Sequence, residues 1–155
     1  MVIRKATAAD IESLIQLRLL YLAEHFGDIS ETKTQICAQL KGYMDDHISR
    51  DFIAFLAEED SGIIACLFLI VQEKPANPRF PNGKTGLILN VFTDKSYRRR
   101  GAASNLLGAA IDEAKRLGLS ILELTATDAG ELLYKKFGFQ GKDASKEMLL
   151  VVNKP

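Results

Sequence analysis

The apolar run LILNVFT, residues 87–93, runs into the basic turn SYRRRG, residues 96–101, and then into a helical repeat; no other segment constrains the chain as much. The run reads as a buried strand. Beyond the turn, Ala103, Leu106, Leu107, Ala110, Ile111, Ala114 and Leu117 recur on one helix face, and Gly118 ends the pattern. A strand that enters a helix through a glycine turn presents unpaired backbone N–H groups and the positive end of the helix dipole. Such a turn is built for an anion, and phosphate is its natural guest. Gly101 lets the backbone approach the guest, Ala102 and Ala103 keep the first helical turn free of bulk, and Arg98, Arg99 and Arg100 add charge-assisted donors. Taken alone, the stretch also fits a solvated arginine run ahead of an ordinary helix.

The other elements follow from periodicity. Val2 to Lys5 is a short strand, and Thr7 with Asp10 opens a helix whose face carries Ile11, Leu14, Ile15, Leu17, Arg18, Tyr21 and Leu22 up to Gly27. A second helix, starting after Ser30, carries Ile36, Leu40, Tyr43, Met44 and His47. Phe52 to Glu58 and Ile63 to Val71 are antiparallel strands joined at Asp60-Ser61-Gly62. A long proline-bearing loop, KPANPRFPNGKTG, leads to the strand at Leu87. Ser120 to Ala126 is the next strand, Asp128 caps a short helix through Phe137, and Phe139 onward, with Met148 to Val152, supplies a final strand or hairpin. The order is β-α-α-β-β-β-α-β-α-β, an α/β (α+β) arrangement.

With 155 residues, 47% of them apolar, the chain suffices for one well-buried domain spanning 1–155. Lys plus Arg equals Asp plus Glu at 20 each, which argues against a protein that coats nucleic acid. Cys37 and Cys66 have neither a CxxC spacing nor histidine companions, so no metal site or disulfide framework is expected, and Cys66 reads as a small core residue. No apolar run reaches a membrane span and the N-terminus lacks an apolar leader, so a soluble, cytoplasmic setting without a membrane partner is expected. Gly83-Lys84-Thr85 mimics the tail of a P-loop, but Pro78 stands where the first glycine belongs and a strand follows; no GxGxxG follows the first strand either.

Arg98-x-x-Gly101-x-Ala103 after a buried strand, followed by Leu133-Tyr134-x-Lys136-x-Gly138-Phe139, resembles the two signature segments of the GNAT N-acetyltransferase superfamily. The early helices and the β-hairpin have counterparts there too, so the resemblance spans the chain. It implies a mixed, mostly antiparallel central sheet with a splayed parallel strand pair and helices on both faces. It implies acetyl-CoA or coenzyme A as cofactor, its pyrophosphate held by backbone N–H groups of Arg99 to Ser104 in the motif that Arg98 opens. The pantetheine arm would lie along Val91 and Thr93, with Phe92 between them, like an added strand. An N–H near Val91 would serve the carbonyl oxygen, and Tyr134 would be the general acid, a phenol being protonated at neutral pH.

Two departures stand out. Relatives often place a carboxylate on the strand before the turn, where this chain has Leu87-Ile88-Leu89-Asn90-Val91; Asn90, on the opposite face from Leu89 and Val91, is suited to orient a substrate or a water. Thr127 stands where relatives often carry a cofactor-contacting asparagine. Proton removal then passes through water, or falls to Glu24, His25 or Asp28. Candidate acceptor contacts are Arg18, Tyr21 and Asn90, with Tyr43, His47 and Asn77 to Asn82. The leading expectation is a monomeric or homodimeric enzyme acetylating a primary amine of a small molecule; alternatives are a non-catalytic coenzyme A module, acetylation of a protein N-terminus or lysine, and an anion or nucleic-acid binder using Lys95 and Arg98 to Arg100.

Overall fold

A computed structural model describes residues 1–141 and 150–152 of the chain. It forms two compact units, Met1–Thr125 and Ala126–Pro155.

The first unit is built on a five-stranded sheet: β1 (Val2–Lys5), β2 (Phe52–Glu59), β3 (Gly62–Glu73), β4 (Lys84–Thr93) and β5 (Ile121–Glu123), in that spatial order. The first three pairings are antiparallel and β4 with β5 is parallel. Helices α1 (Ile11–Phe26) and α2 (Lys33–His47) precede β2, and α3 (Ala102–Arg116) joins β4 to β5. Thr7 opens a 3-10 turn, Ala8–Asp10, ahead of α1, and its N–H donates to the Asp10 carboxylate at 2.8 Å.

β2 is buried from Phe52 to Ala57 because both faces of the sheet are covered. Phe52, Ala54 and Leu56 alternate toward Cys66, Phe68 and Phe92 and toward Ile11, Leu14, Ile15 and Met44 of the two early helices. The intervening Ile53, Phe55 and Ala57 are also buried, and α3, which packs on β2, β3 and β4, buries Leu106, Leu107, Ala110 and Ala114. Each such large apolar side chain contributes about 1.5–3 kcal/mol on burial, so truncating Leu106, which is 0% exposed, to alanine costs about 2–5 kcal/mol.

The second unit contains α4 (Asp128–Lys136). Thr127, not Asp128, is its N-cap residue, since Thr127 has extended backbone and its carbonyl accepts from the N–H groups of Gly130 and Glu131 at 2.9 and 3.0 Å. Of the expected last strand, Met148 and Leu149 lie outside the described residues; Phe139 to Gly141 and Leu150 to Val152 carry no strand. Among the described residues no helix is long and apolar enough to cross a membrane, and no cluster of three or more His, Cys, Asp or Glu could hold a metal ion.

Candidate active site

The turn after β4 begins with Asp94, whose carboxylate accepts the Ser96 N–H at 2.9 Å and caps a short 3-10 turn, Lys95–Tyr97. Arg99 (φ 65°) and Gly101 (φ 86°, ψ 0°) then take left-handed backbone and swing the chain into α3. The helical ladder starts with the Asn105 N–H on the Gly101 carbonyl at 3.0 Å. The N–H groups of Ala102, Ala103 and Ser104 thus precede the ladder, at the positive end of a 15-residue helix. A Cβ built at Gly101 meets nothing within 4 Å, so the approach to these donors is open. This donor set fits a pyrophosphate.

The three arginines divide their tasks. Arg98 donates from Nη2 to both carboxylate oxygens of Glu24 on α1, at 2.7 Å each, and from Nε to the Thr93 carbonyl at 3.0 Å. Arg100 sits over the Tyr97 ring, 5.2 Å from its centroid, with Glu59 at 4.0 Å. Arg99 is exposed, with no side-chain partner among the described residues. Hydrogen bonding to Arg98 lowers the pKa of Glu24, and that of Asp28 is lowered by the Ser30 N–H, 2.9 Å from its carboxylate. His25 stacks on Tyr21 at 5.7 Å. The carboxylates at the end of α1 are therefore held in the charged form by structural partners.

Pairing of β4 with β5 covers only Thr85↔Ile121, Gly86↔Leu122 and Leu87↔Glu123, so β5 is shorter than the expected Ser120 to Ala126. From residue 88 to 93, β4 has no strand partner on that side among the described residues. The expected strand was therefore right in place and too long. An extended, amide-bearing ligand can use such backbone groups. The other end of the pair is pinned: Asn82 donates to the Gly118 carbonyl at 2.8 Å and accepts from the Ser120 hydroxyl at 2.6 Å and the Lys84 N–H at 3.0 Å. The proline loop, considered for acceptor contacts, thus lies at the end of β4 away from the arginine-glycine turn, about 30 Å along the strand.

On its other edge β4 carries a bulge, with Asn90 and Val91 together opposite Leu67, and Asn90 is left-handed at φ 52°. The bulge corrects the expectation that Asn90 faces away from Leu89: Leu89 packs against the cluster under α1 and α2, and Asn90 reaches the same side. Its Nδ2 lies 3.2 Å from Cys66 Sγ, and its Oδ1 accepts from Arg18 Nη1 at 3.1 Å. Cys66 is a buried free thiol pushed up to about 12 by burial, hence no nucleophile. Arg18, half-buried, also lies 5.4 Å from the Tyr21 ring centroid. Arg18, Tyr21 and Asn90 are therefore brought together. Of the cofactor candidates on β4, Phe92 buries its ring in the core, while Val91 and Thr93 are half-buried. Tyr43 and His47 instead stack on each other at 4.5 Å, and His47 Nδ1 lies 2.7 Å from Asp51.

In the second unit, Tyr134 is half-buried on α4, its ring 6.0 Å from that of Phe139 in an edge-on contact. The carbonyl of Tyr134 accepts the N–H groups of Phe137 and Phe139 at 3.0 and 3.1 Å. That turn ends the helix at the signature Phe137-Gly138-Phe139.

A glycine turn that opens a helix at the end of a half-paired strand is an arrangement suited to a ligand that carries both phosphates and amides. The profile of the acetyltransferase (GNAT) domain matches residues 50–141, and the chain belongs to that family. Acetyl-CoA is the cofactor of the family and of a similar solved structure, a predicted acetyltransferase from Clostridium acetobutylicum with acetyl-CoA. That structure is 26% identical, covers 96% of this chain and 95% of its own, and superposes with a TM-score of 0.81. A GCN5-related N-acetyltransferase from Ralstonia eutropha is 25% identical over 96% of this chain and 97% of its own, with a TM-score of 0.81. Glucosamine-6-phosphate N-acetyltransferase from Arabidopsis thaliana, 21% identical over 98% of each chain with a TM-score of 0.71, shares the fold. A search of curated protein sequences finds no match.

Proposed function

We propose that the chain is an N-acetyltransferase acting on a primary amine of a small molecule, with residues 1–155 forming one acetyltransferase domain. The observation that carries the reading is the open turn at Gly101 beside the half of β4 that β5 leaves unpaired. The family match, which runs through both units, supports the single domain. In this reading the N–H groups from Arg99 to Ser104 hold the pyrophosphate, with Arg99 as the uncommitted cation, and Arg98 braces the turn against α1. Backbone groups of Val91, Phe92 and Thr93 take the amide-bearing arm. Acetyl-CoA supplies the thioester: the amine nitrogen forms the C–N bond as the C–S bond breaks. The N–H near Val91 donates to the carbonyl oxygen as charge gathers there, worth about 10²–10³ in rate for such a donor. Tyr134 Oη holds the proton that the leaving sulfur takes, and the amine proton passes to water, because Glu24 and Asp28 are tied to structural partners.

Release of free thiol from acetyl-CoA across a panel of amines tests this. Amine-dependent release supports the reading. Coenzyme A binding without release from any amine would leave a non-catalytic module instead, and release only with peptides would move the acceptor to a protein N-terminus or lysine.

A further inference from the structure

Arginines in this chain commonly take a carboxylate: Arg4 binds Asp10 and Glu58, Arg98 binds Glu24, and Arg116 binds Glu113. Arg18 is half-buried and has none among the described residues. Its hydrogen-bond partner is the neutral Oδ1 of Asn90 at 3.1 Å, and the Tyr21 ring lies beside it. An amide oxygen and an aromatic ring solvate a cation without neutralising it. Charges withdrawn from water are as a rule paired, because removal from water is otherwise uncompensated. Consistent with that, burial pulls the guanidinium below its ordinary pKa. The group is also aimed: the Asn90 amide is fixed at its other end on Cys66 Sγ at 3.2 Å, inside the β4 bulge, so Arg18 is positioned by a side chain that cannot swing freely. Most of its N–H donors remain available.

We propose that the missing anion arrives with the acceptor, and that the substrates are amines carrying a carboxylate, of the amino-acid type, bound through that carboxylate by Arg18. The inference rests on the acetyl-transfer reading, since Asn90 adjoins Val91, where that reading puts the reacting carbonyl. A carboxylate fits better than a phosphate. The ionisable groups that act on Arg18 are Tyr21 and Cys66, neither of them a cation, and one planar guanidinium matches one carboxylate in two parallel hydrogen bonds.

The test uses the full chain with saturating acetyl-CoA and matched acceptors: amino acids against their α-carboxamides, with O-phosphoethanolamine as the phosphate arm. Amino-acid amides have the less basic amine, so a preference for the carboxylates cannot come from intrinsic reactivity at neutral pH. The expected KM is about 10- to 100-fold lower for the carboxylate of each pair. Arg18→Gln should erase this discrimination. So should Asn90→Asp, which keeps the side-chain shape and supplies an internal carboxylate to Arg18, in case the first variant folds poorly. A readout without turnover is the melting temperature in the presence of coenzyme A and either the N-acetyl amino acid or its amide. Only the carboxylate should stabilise the wild type, and it should not stabilise Arg18→Gln. If no amine releases thiol but this stabilisation is seen, acetyl transfer fails and the carboxylate site stands. Equal use of amides and carboxylates, preference for the phosphate, or a preference that survives folded Arg18→Gln overturns the proposal.

Discussion

The ring of Tyr134 fills the space that a side chain at position 130 would need: a Cβ at Gly130 would lie 2.8 Å from Tyr134 Cε2 and 3.4 Å from Cζ. One turn of α4 separates the two residues, so an alanine there must turn the ring. Gly130→Ala is expected to keep or raise stability, since alanine favours a helix by about 1 kcal/mol over glycine, while turnover falls several-fold at unchanged coenzyme A affinity. Thermal melts, cofactor titration and thiol release on the same variant check the three parts. Full turnover would show that the ring position is immaterial.

Tyr134→Phe removes one oxygen and keeps the ring. If the phenol holds the proton for the leaving sulfur, turnover should drop toward the low end of the 10²–10⁴ range typical of general acids, because a thiolate is already a fair leaving group. Cofactor binding should be little changed. The basic limb of the pH-rate profile should move or vanish, and an unshifted profile at full activity would remove Tyr134 from the chemistry.

Gly101→Val places a β-branched residue at φ 86°, where the obstacle is backbone strain rather than a clash, since the space around its Cβ is empty. The strain should displace the first N–H groups of α3. Acetyl-CoA should raise the melting temperature of the wild type by mass action and fail to raise that of the variant. An undiminished shift in folded Gly101→Val would place the pyrophosphate elsewhere.

Glu113 sits on the buried side of α3, bound by Arg116 at 2.6 and 2.9 Å and by Lys5 at 2.7 Å. Its hydrogen bonds to Arg116 foremost, and to Lys5, hold its carboxyl at about 2 against an ordinary 4.5. A depressed carboxylate contributes stability that is complete above its unfolded value and is lost as pH falls through its folded one. Stability should therefore decline between pH 4.5 and about 2, with Asp10, held at about 2 by Arg4, acting in the same window. Glu113→Gln should cost about 1–3 kcal/mol at pH 7 and flatten part of that decline in urea melts taken across the range.

Much of this was legible in the chain. LILNVFT, the Gly101 turn and the spacing from Ala103 to Leu117 report strand, turn and helix because burial on a sheet and on a helix face impose different periods. The bulge at Asn90 was not, because an inserted residue leaves no mark on an apolar run; strict alternation put Asn90 on the wrong face. The Arg98 to Glu24 pair was equally hidden, since its partners are 74 positions apart and a basic run looks the same whether it meets solvent or a carboxylate. β5 was read too long because its sequence stays apolar after its partner has parted from it.

Gly86 has a reach beyond its own place in the sheet. A Cβ there would come within 2.6 Å of Leu122 Cδ2, 2.9 Å of Leu69 Cδ1 and 3.0 Å of Leu119 Cδ1, so the absent side chain leaves the room that these three leucine side chains take where β4 meets β5. It marks the crotch of a fork whose open tines begin after Leu87. An extended ligand bound beside Asn90, four residues and about 13 Å up the strand, would meet a spacing set in part from a point below it. A single methyl group at the crotch would make those leucines repack at the point where the fork opens.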